Sequence, residues 1–244
     1  MSISSVNPDN PSKPYLLVPI EDCGEPLVPI PSSVFTLESP PPYAKLGADY
    51  RGSSPYCLRQ GVLSALIVAQ KYLAAQYPGW KLKVFDAYRP VEVQKFMVEH
   101  TFKEILEQKG LKKEDLSQAE EKLIWQQVYT IWAVPSNNLQ TPPPHSTGAA
   151  IDLTLVNEKG EDLDMGGEID ELSARSEPNY YQDKPEGIIY QSRREILLNV
   201  MFKAGFRRHL GEWWHFSLGD QMWTWQYNLE NPTQPLIARY GRVE

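Results

Sequence analysis

The chain has 244 residues, 41% hydrophobic and 23% charged, the make-up of a globular protein able to bury a substantial core in one large domain or two small ones. Its net charge of −7 argues against a nucleic-acid partner, whose phosphates need a basic face, yet leaves room for a local basic pocket. No apolar run approaches the ~20 residues that span a bilayer, and Met1 to Pro8 lacks the features of a secretory signal. A cytoplasmic location is expected, or a periplasmic one if a leader has been removed.

In chain order, residues 1–42 are rich in proline and end in Ser39-Pro40-Pro41-Pro42. Proline removes backbone donors, so this stretch is expected as an extended arm rather than part of a sheet or helix core. Cys23 and Cys57 are too few for a disulfide framework and are expected as free thiols. From Leu58 to Gln76, Val62, Leu63, Leu66, Ile67, Ala69 and Leu73 recur at helical spacing, and Pro78-Gly79 breaks the run. Trp80 to Asp86 alternates with period two and predicts a strand. Pro90 suits the first turn of a helix over about Val91–Phe102, and a charged amphipathic stretch predicts another over about Glu114–Trp132. The loop from Pro135 to Pro144 delivers the chain to His145, and Ala149 to Leu155 predicts an apolar strand carrying Asp152. A long acidic connection follows, from Gly160 to about Pro185. A helix over about Ser192–Ala204 ends at Gly205, a short aromatic strand spans Glu212–Leu218, and the polar tail begins near Asn228. Helices and strands mix without a βαβ rhythm, which predicts the α+β class.

Two stretches carry chemistry. The first is His145-Ser146-Thr147-Gly148-Ala149-Ala150-Ile151-Asp152, and the second is Gly211-Glu212-Trp213-Trp214-His215. Together they offer two imidazoles and a carboxylate, and three N/O ligands with an open position are the make-up of a catalytic zinc site. Gly148 permits a turn that brings His145 and Asp152 to one point. An aspartate inside an apolar strand is costly unless metal-bound or paired, and a salt bridge to an arginine is the alternative. Glu212 and His215 would point to opposite faces of an ideal strand, so a bulge or turn must intervene for both to reach one metal. The run could otherwise be an aromatic core edge. Zinc lowers the pKa of bound water towards ~7, and a nearby carboxylate can accept its proton. That division of labour makes His145, Asp152 and His215 ligands and leaves Glu212 as base. Arg89, in Asp86-Ala87-Tyr88-Arg89-Pro90, could neutralise an oxyanion or simply pair with Asp86.

In this order the three stretches resemble the D-alanyl-D-alanine dipeptidases of the VanX-like kind, zinc D,D-peptidases that share a fold with the hedgehog signalling domain. The likeness runs from about Tyr43 to Leu218. It implies a single α+β domain, with a small antiparallel sheet flanked by helices, over residues 43–228, between the arm and a tail at 229–244. It implies one zinc ion per chain on His145, Asp152 and His215, Glu212 as general base and Arg89 as the transition-state arginine. The run Asp164-Met165-Gly166-Gly167-Glu168-Ile169-Asp170 is similar to the family's Met-Gly segment, which implies that Asp170 meets the free amine of a small D,D-dipeptide. The family commonly has a serine of the substrate pocket two residues before the first zinc histidine, and here that position is Pro143. Ser146 or a backbone amide is expected to substitute.

Three functions fit these residues. A zinc D-Ala-D-Ala dipeptidase leads. A D,D- or L,D-carboxypeptidase acting on peptidoglycan stem peptides would use the same chemistry. A non-catalytic zinc-binding interaction module would have no use for Glu212 and Arg89.

Overall fold

The computed structural model describes residues 13–243. After a 3-10 turn at Pro14–Leu17, the proline-rich segment forms β1 (Leu27–Pro29) and β2 (Thr36–Leu37) and leads into a short helix, α1 (Pro42–Lys45). The segment therefore joins the sheet system, contrary to the extended arm read from its prolines. The reason is local: Val34-Phe35-Thr36-Leu37 contains no proline, so its donors are available, and Phe35 buries its ring in the core. Proline still confines the segment to edges. β1 pairs only with β3 (Cys57–Arg59), and β2 is the outermost strand of the main sheet.

The helix expected from Leu58 begins at Gln60, as α2 (Gln60–Gln76), because Arg59 is still extended and donates its amide to the Gly148 carbonyl. Then come β4 (Lys81–Asp86), α3 (Val91–Lys109) and α4 (Gln118–Val128), the last opened by a capping box between Ser117 and Glu120. β5 (Ala150–Val156), α5 (Ile188–Lys203), β6 (Arg207–Arg208), β7 (His215–Ser217) and α6 (Gln221–Glu230) complete the chain. The sequence reading misses α6, whose aromatic residues show no clean helical period. Its start is marked only by Asp220, which accepts from the Trp223 amide at 2.8 Å.

The main sheet has the order β2-β4-β5-β7-β6 and is antiparallel except for the β2–β4 edge pair. The α+β class expected from the sequence is the observed one. Alternation divides the two faces. Leu82 and Val84 of β4 and Ile151, Leu153 and Leu155 of β5 pack with α2 and α5 in one buried cluster. Phe85 points the other way, towards a second cluster built from α3, α4, Tyr43 and Trp132. The tail returns to the body, burying Tyr240 in the first cluster. Cys23 and Cys57 are both free thiols.

Candidate active site

Three adjacent strands set the site. Asp86 at the end of β4 lies opposite Asp152 on β5, and Asp152 lies opposite His215 at the start of β7. The β4–β5 register shifts between Val84 and Asp86, so the last residue of β4 is re-aimed where the ladder ends. On β5, Asp152 faces away from the cluster that takes Ile151 and Leu153.

His145 arrives from a 3-10 turn, Pro144–Thr147, closed by Gly148 at φ +69°. The backbone angle favours glycine, and a Cβ there would sit 2.4 Å from Leu27 Cδ2 and force that side chain of β1 to move. Arg59 fixes this turn through Nε, which donates to the Thr147 carbonyl at 2.9 Å.

His145 Nδ1 lies 2.7 Å from the Ala87 carbonyl, which commits that nitrogen as a donor and leaves Nε2 as an acceptor. Nε2 is 3.1 Å from His215 Nδ1 and 3.2 Å from an Asp152 oxygen, and His215 Nδ1 is 3.0 Å from the other Asp152 oxygen. Tetrahedral ligands at zinc distances of about 2.0–2.1 Å lie about 3.3 Å apart. The three buried groups thus have the spacing that one such ion needs, and their ligand atoms all lie within 4.8 Å of one another. Burial alone would raise Asp152, but the two imidazoles hold it well below the usual carboxylate range. The donor set fits a metal such as zinc.

Glu212 lies outside β7, in the bend before it, which is how Glu212 and His215 come to one side despite their spacing of three. Its carboxylate is 3.9 Å from His215 Nδ1 and 3.4 Å from His209 Nδ1. Trp213 and Trp214 between them are buried in the main cluster, so the aromatic core edge and the site share one segment. Burial, reinforced by Asp152 and Asp170, pushes Glu212 well above the ordinary carboxylate range, against the pull of Lys13 and Arg89. A carboxylate so raised is closer to the basicity a general base needs at neutral pH. Burial lowers His209 to about 3, with His215 and Lys13 adding to the effect, so its ring is neutral.

Arg89 does pair with Asp86, at 3.0 Å from Nε and 2.9 Å from Nη2. It also donates to Gln94 at 2.9 Å and Tyr43 at 2.8 Å, and its Nη2 lies 3.4 Å from Asp152. The guanidinium is thereby fixed beside the cluster of His145, Asp152 and His215. Tyr43 donates in turn to Asp170 at 2.8 Å. Asp170 has φ +64°, an uncommon backbone angle for a non-glycine residue. Burial and then Asp152 push its pKa up to about 7, partly offset by Arg89 and the Tyr43 hydrogen bond.

All six residues singled out in the sequence, His145, Asp152, His215, Glu212, Arg89 and Asp170, line one cavity. Sequence reasoning missed Tyr43, Gln94, His209 and Lys13. Tyr43 and Lys13 belong to segments far from the motifs, and nothing in their local sequence marks them. The expectation for Ser146 is not met. Its hydroxyl donates to the Pro143 carbonyl at 2.7 Å, within its own turn, and the residue does not line the cavity.

No helix among the described residues is long and apolar enough to cross a membrane. A family model described as D-ala-D-ala dipeptidase matches residues 37–233. The chain is 57% identical, over 244 residues, to the D-alanyl-D-alanine dipeptidase of Synechocystis sp., covering 97% of this chain and 99% of that protein. It is 31% identical over 166 residues to the D-alanyl-D-alanine dipeptidase of Escherichia coli, covering 66% of each. Among solved structures it has a distant likeness to the LdcB LD-carboxypeptidase, with 17% identity and a TM-score of 0.45 over 85% of this chain and 75% of that one. The matched stretch holds every candidate residue from Arg89 to His215, and on this match the chain belongs to the D-Ala-D-Ala dipeptidase family of peptidases.

Proposed function

We propose that this peptidase is a zinc-dependent hydrolase of the D-alanyl-D-alanine dipeptide. The observation that carries the reading is the convergence of His145, Asp152 and His215 within 4.8 Å, beside Glu212 and Arg89. These three residues would hold the ion, which when bound polarises the scissile carbonyl and acidifies the attacking water. Glu212 takes the proton from that water and returns it to the leaving amine. Arg89, preset by Asp86 and Gln94, places a guanidinium where negative charge develops on the carbonyl oxygen. Asp170 receives the substrate's free ammonium, with Tyr43 fixing its carboxylate.

Metal analysis combined with a dipeptide panel tests this reading. One zinc per chain and turnover of free D-Ala-D-Ala that a chelator abolishes are expected. Strong preference for an N-acylated substrate would instead favour a carboxypeptidase acting on longer peptides, because acylation removes the ammonium assigned to Asp170. Metal binding without turnover of any peptide would favour the interaction module.

A further inference from the structure

A dipeptide with both ends free presents a carboxylate as well as an ammonium. If the dipeptidase function proposed above holds, that carboxylate still lacks a partner in the site. Two basic side chains line the cavity, Arg89 and Lys13; burial pulls the Lys13 ammonium below its ordinary pKa, against the opposing pull of Glu212. Arg89 is held by Asp86, Gln94, Tyr43 and Asp152 and is already assigned to the charge on the carbonyl oxygen. His209 also lines the cavity, but its Nδ1 accepts from the Gly211 amide at 3.2 Å and lies 3.4 Å from Glu212.

Lys13 is different. Among the described residues its ammonium makes one hydrogen bond, 3.4 Å long, to the Trp132 carbonyl, and no salt bridge. An ammonium has three donors, so two remain for a ligand. The side chain is half-buried rather than waving in solvent, and its charge is felt by Glu212 and His209. Its backbone is anchored too. Lys13 caps the 3-10 turn that buries Tyr15, a further wall of the cavity, and Gln221 of α6 donates to the Val18 carbonyl at 2.7 Å just beyond the turn. The residue lies before the stretch matched to the family, 37–233.

We infer that Lys13 is the anchor for the substrate's terminal carboxylate and makes the site selective for peptides whose C-terminus is free. The N-terminal segment would then be a part of the active site that reads substrate, rather than only a wrapping of the domain.

Steady-state kinetics on D-Ala-D-Ala and on its C-terminal amide, for zinc-loaded wild type, K13M and K13R, test this. The wild type should prefer the acid by about tenfold or more. K13M should raise KM for the acid roughly 10- to 100-fold, the range for losing a charge-assisted hydrogen bond, with kcat changed only a few-fold. KM for the amide should hardly move, and amide turnover shows that the variant is folded. K13R should recover most of the preference for the acid. Equal effects on both substrates, or none, would overturn the assignment. So would a K13M defect that appears as a shifted acid limb of the pH profile on both substrates, since that would place Lys13 on Glu212. Failure of the wild type to turn over D-Ala-D-Ala at all is a separate result, seen before any Lys13 variant is made, and removes the dipeptidase reading itself.

Discussion

Asp86→Ala should destabilise the protein strongly while leaving the candidate metal ligands in place. The carboxylate is fully buried, accepts from Arg89 Nε at 3.0 Å and the Tyr50 hydroxyl at 3.1 Å, and lies 2.9 Å from Arg89 Nη2 in the same ion pair. Breaking a buried ion pair from one side costs about 3–5 kcal/mol, because the remaining charge is left uncompensated. The lower end applies here, since Arg89 keeps Gln94, Tyr43 and Asp152. The orphaned Tyr50 hydroxyl adds about 1 kcal/mol, for a total of roughly 4 kcal/mol. In a chain of this size each kcal/mol moves Tm by about 2–4 °C, so a fall of roughly 8–16 °C is expected. Thermal unfolding followed by circular dichroism at neutral pH measures it. Asp86→Asn retains one acceptor oxygen and should lose about half as much. A fall below about 3 °C for Asp86→Ala would mean that Arg89 is held without Asp86, and would refute the account of how its guanidinium is preset.

Glu212→Gln should lower kcat by about 10²- to 10⁴-fold while zinc content by elemental analysis stays at wild-type level, because Glu212 is placed beside the ligand cluster and outside it. Unchanged turnover would remove it from the mechanism. His145→Ala should instead lose the metal, read as zinc content after dialysis, with turnover lost in parallel. Asp220, buried at the start of α6, has its pKa pushed up to about 6, chiefly by burial. A carboxyl raised in the fold binds its proton more tightly there than in the unfolded chain, so its contribution to stability falls as pH rises from about 4 through about 6. Asp220→Asn keeps an acceptor for the Trp223 amide and removes the buried charge. It should raise stability above pH 6 by up to about 3 kcal/mol and flatten the pH dependence between 4 and 6, as measured by urea unfolding. A stability curve parallel to wild type would refute it.

How much of this was legible in the sequence depends on the range of the interactions. α2 and β4 show themselves through local periodicity, β5 through its apolar run, and α3 and α5 through the proline and glycine that mark an end of each. The metal-ligand candidates are legible because strands and a glycine turn carry them within short motifs. The strand in the proline-rich segment was hidden, since four residues without proline say little until Phe35 finds a core to enter. α6 was hidden because it packs on the N-terminal turn and its aromatic side chains meet Arg207 of β6, which leaves no clean apolar period.

The sequence by itself determined the α+β class and the residue types that could hold a metal and move a proton. Motif spacing reflects local backbone geometry, and that geometry is written in the order of residues. Only the tertiary structure decided that Asp86, Asp152 and His215 stand level on three neighbouring strands, that Asp86 and Gln94 hold Arg89 in place, and that Tyr43 bridges Arg89 to Asp170. It alone brought Lys13 to the same cavity. Apart from Asp86 and Gln94, which are near neighbours of Arg89 in the chain, these partners are separated by tens to hundreds of positions, and their contacts depend on sheet register and on the docking of the N-terminal turn against α6.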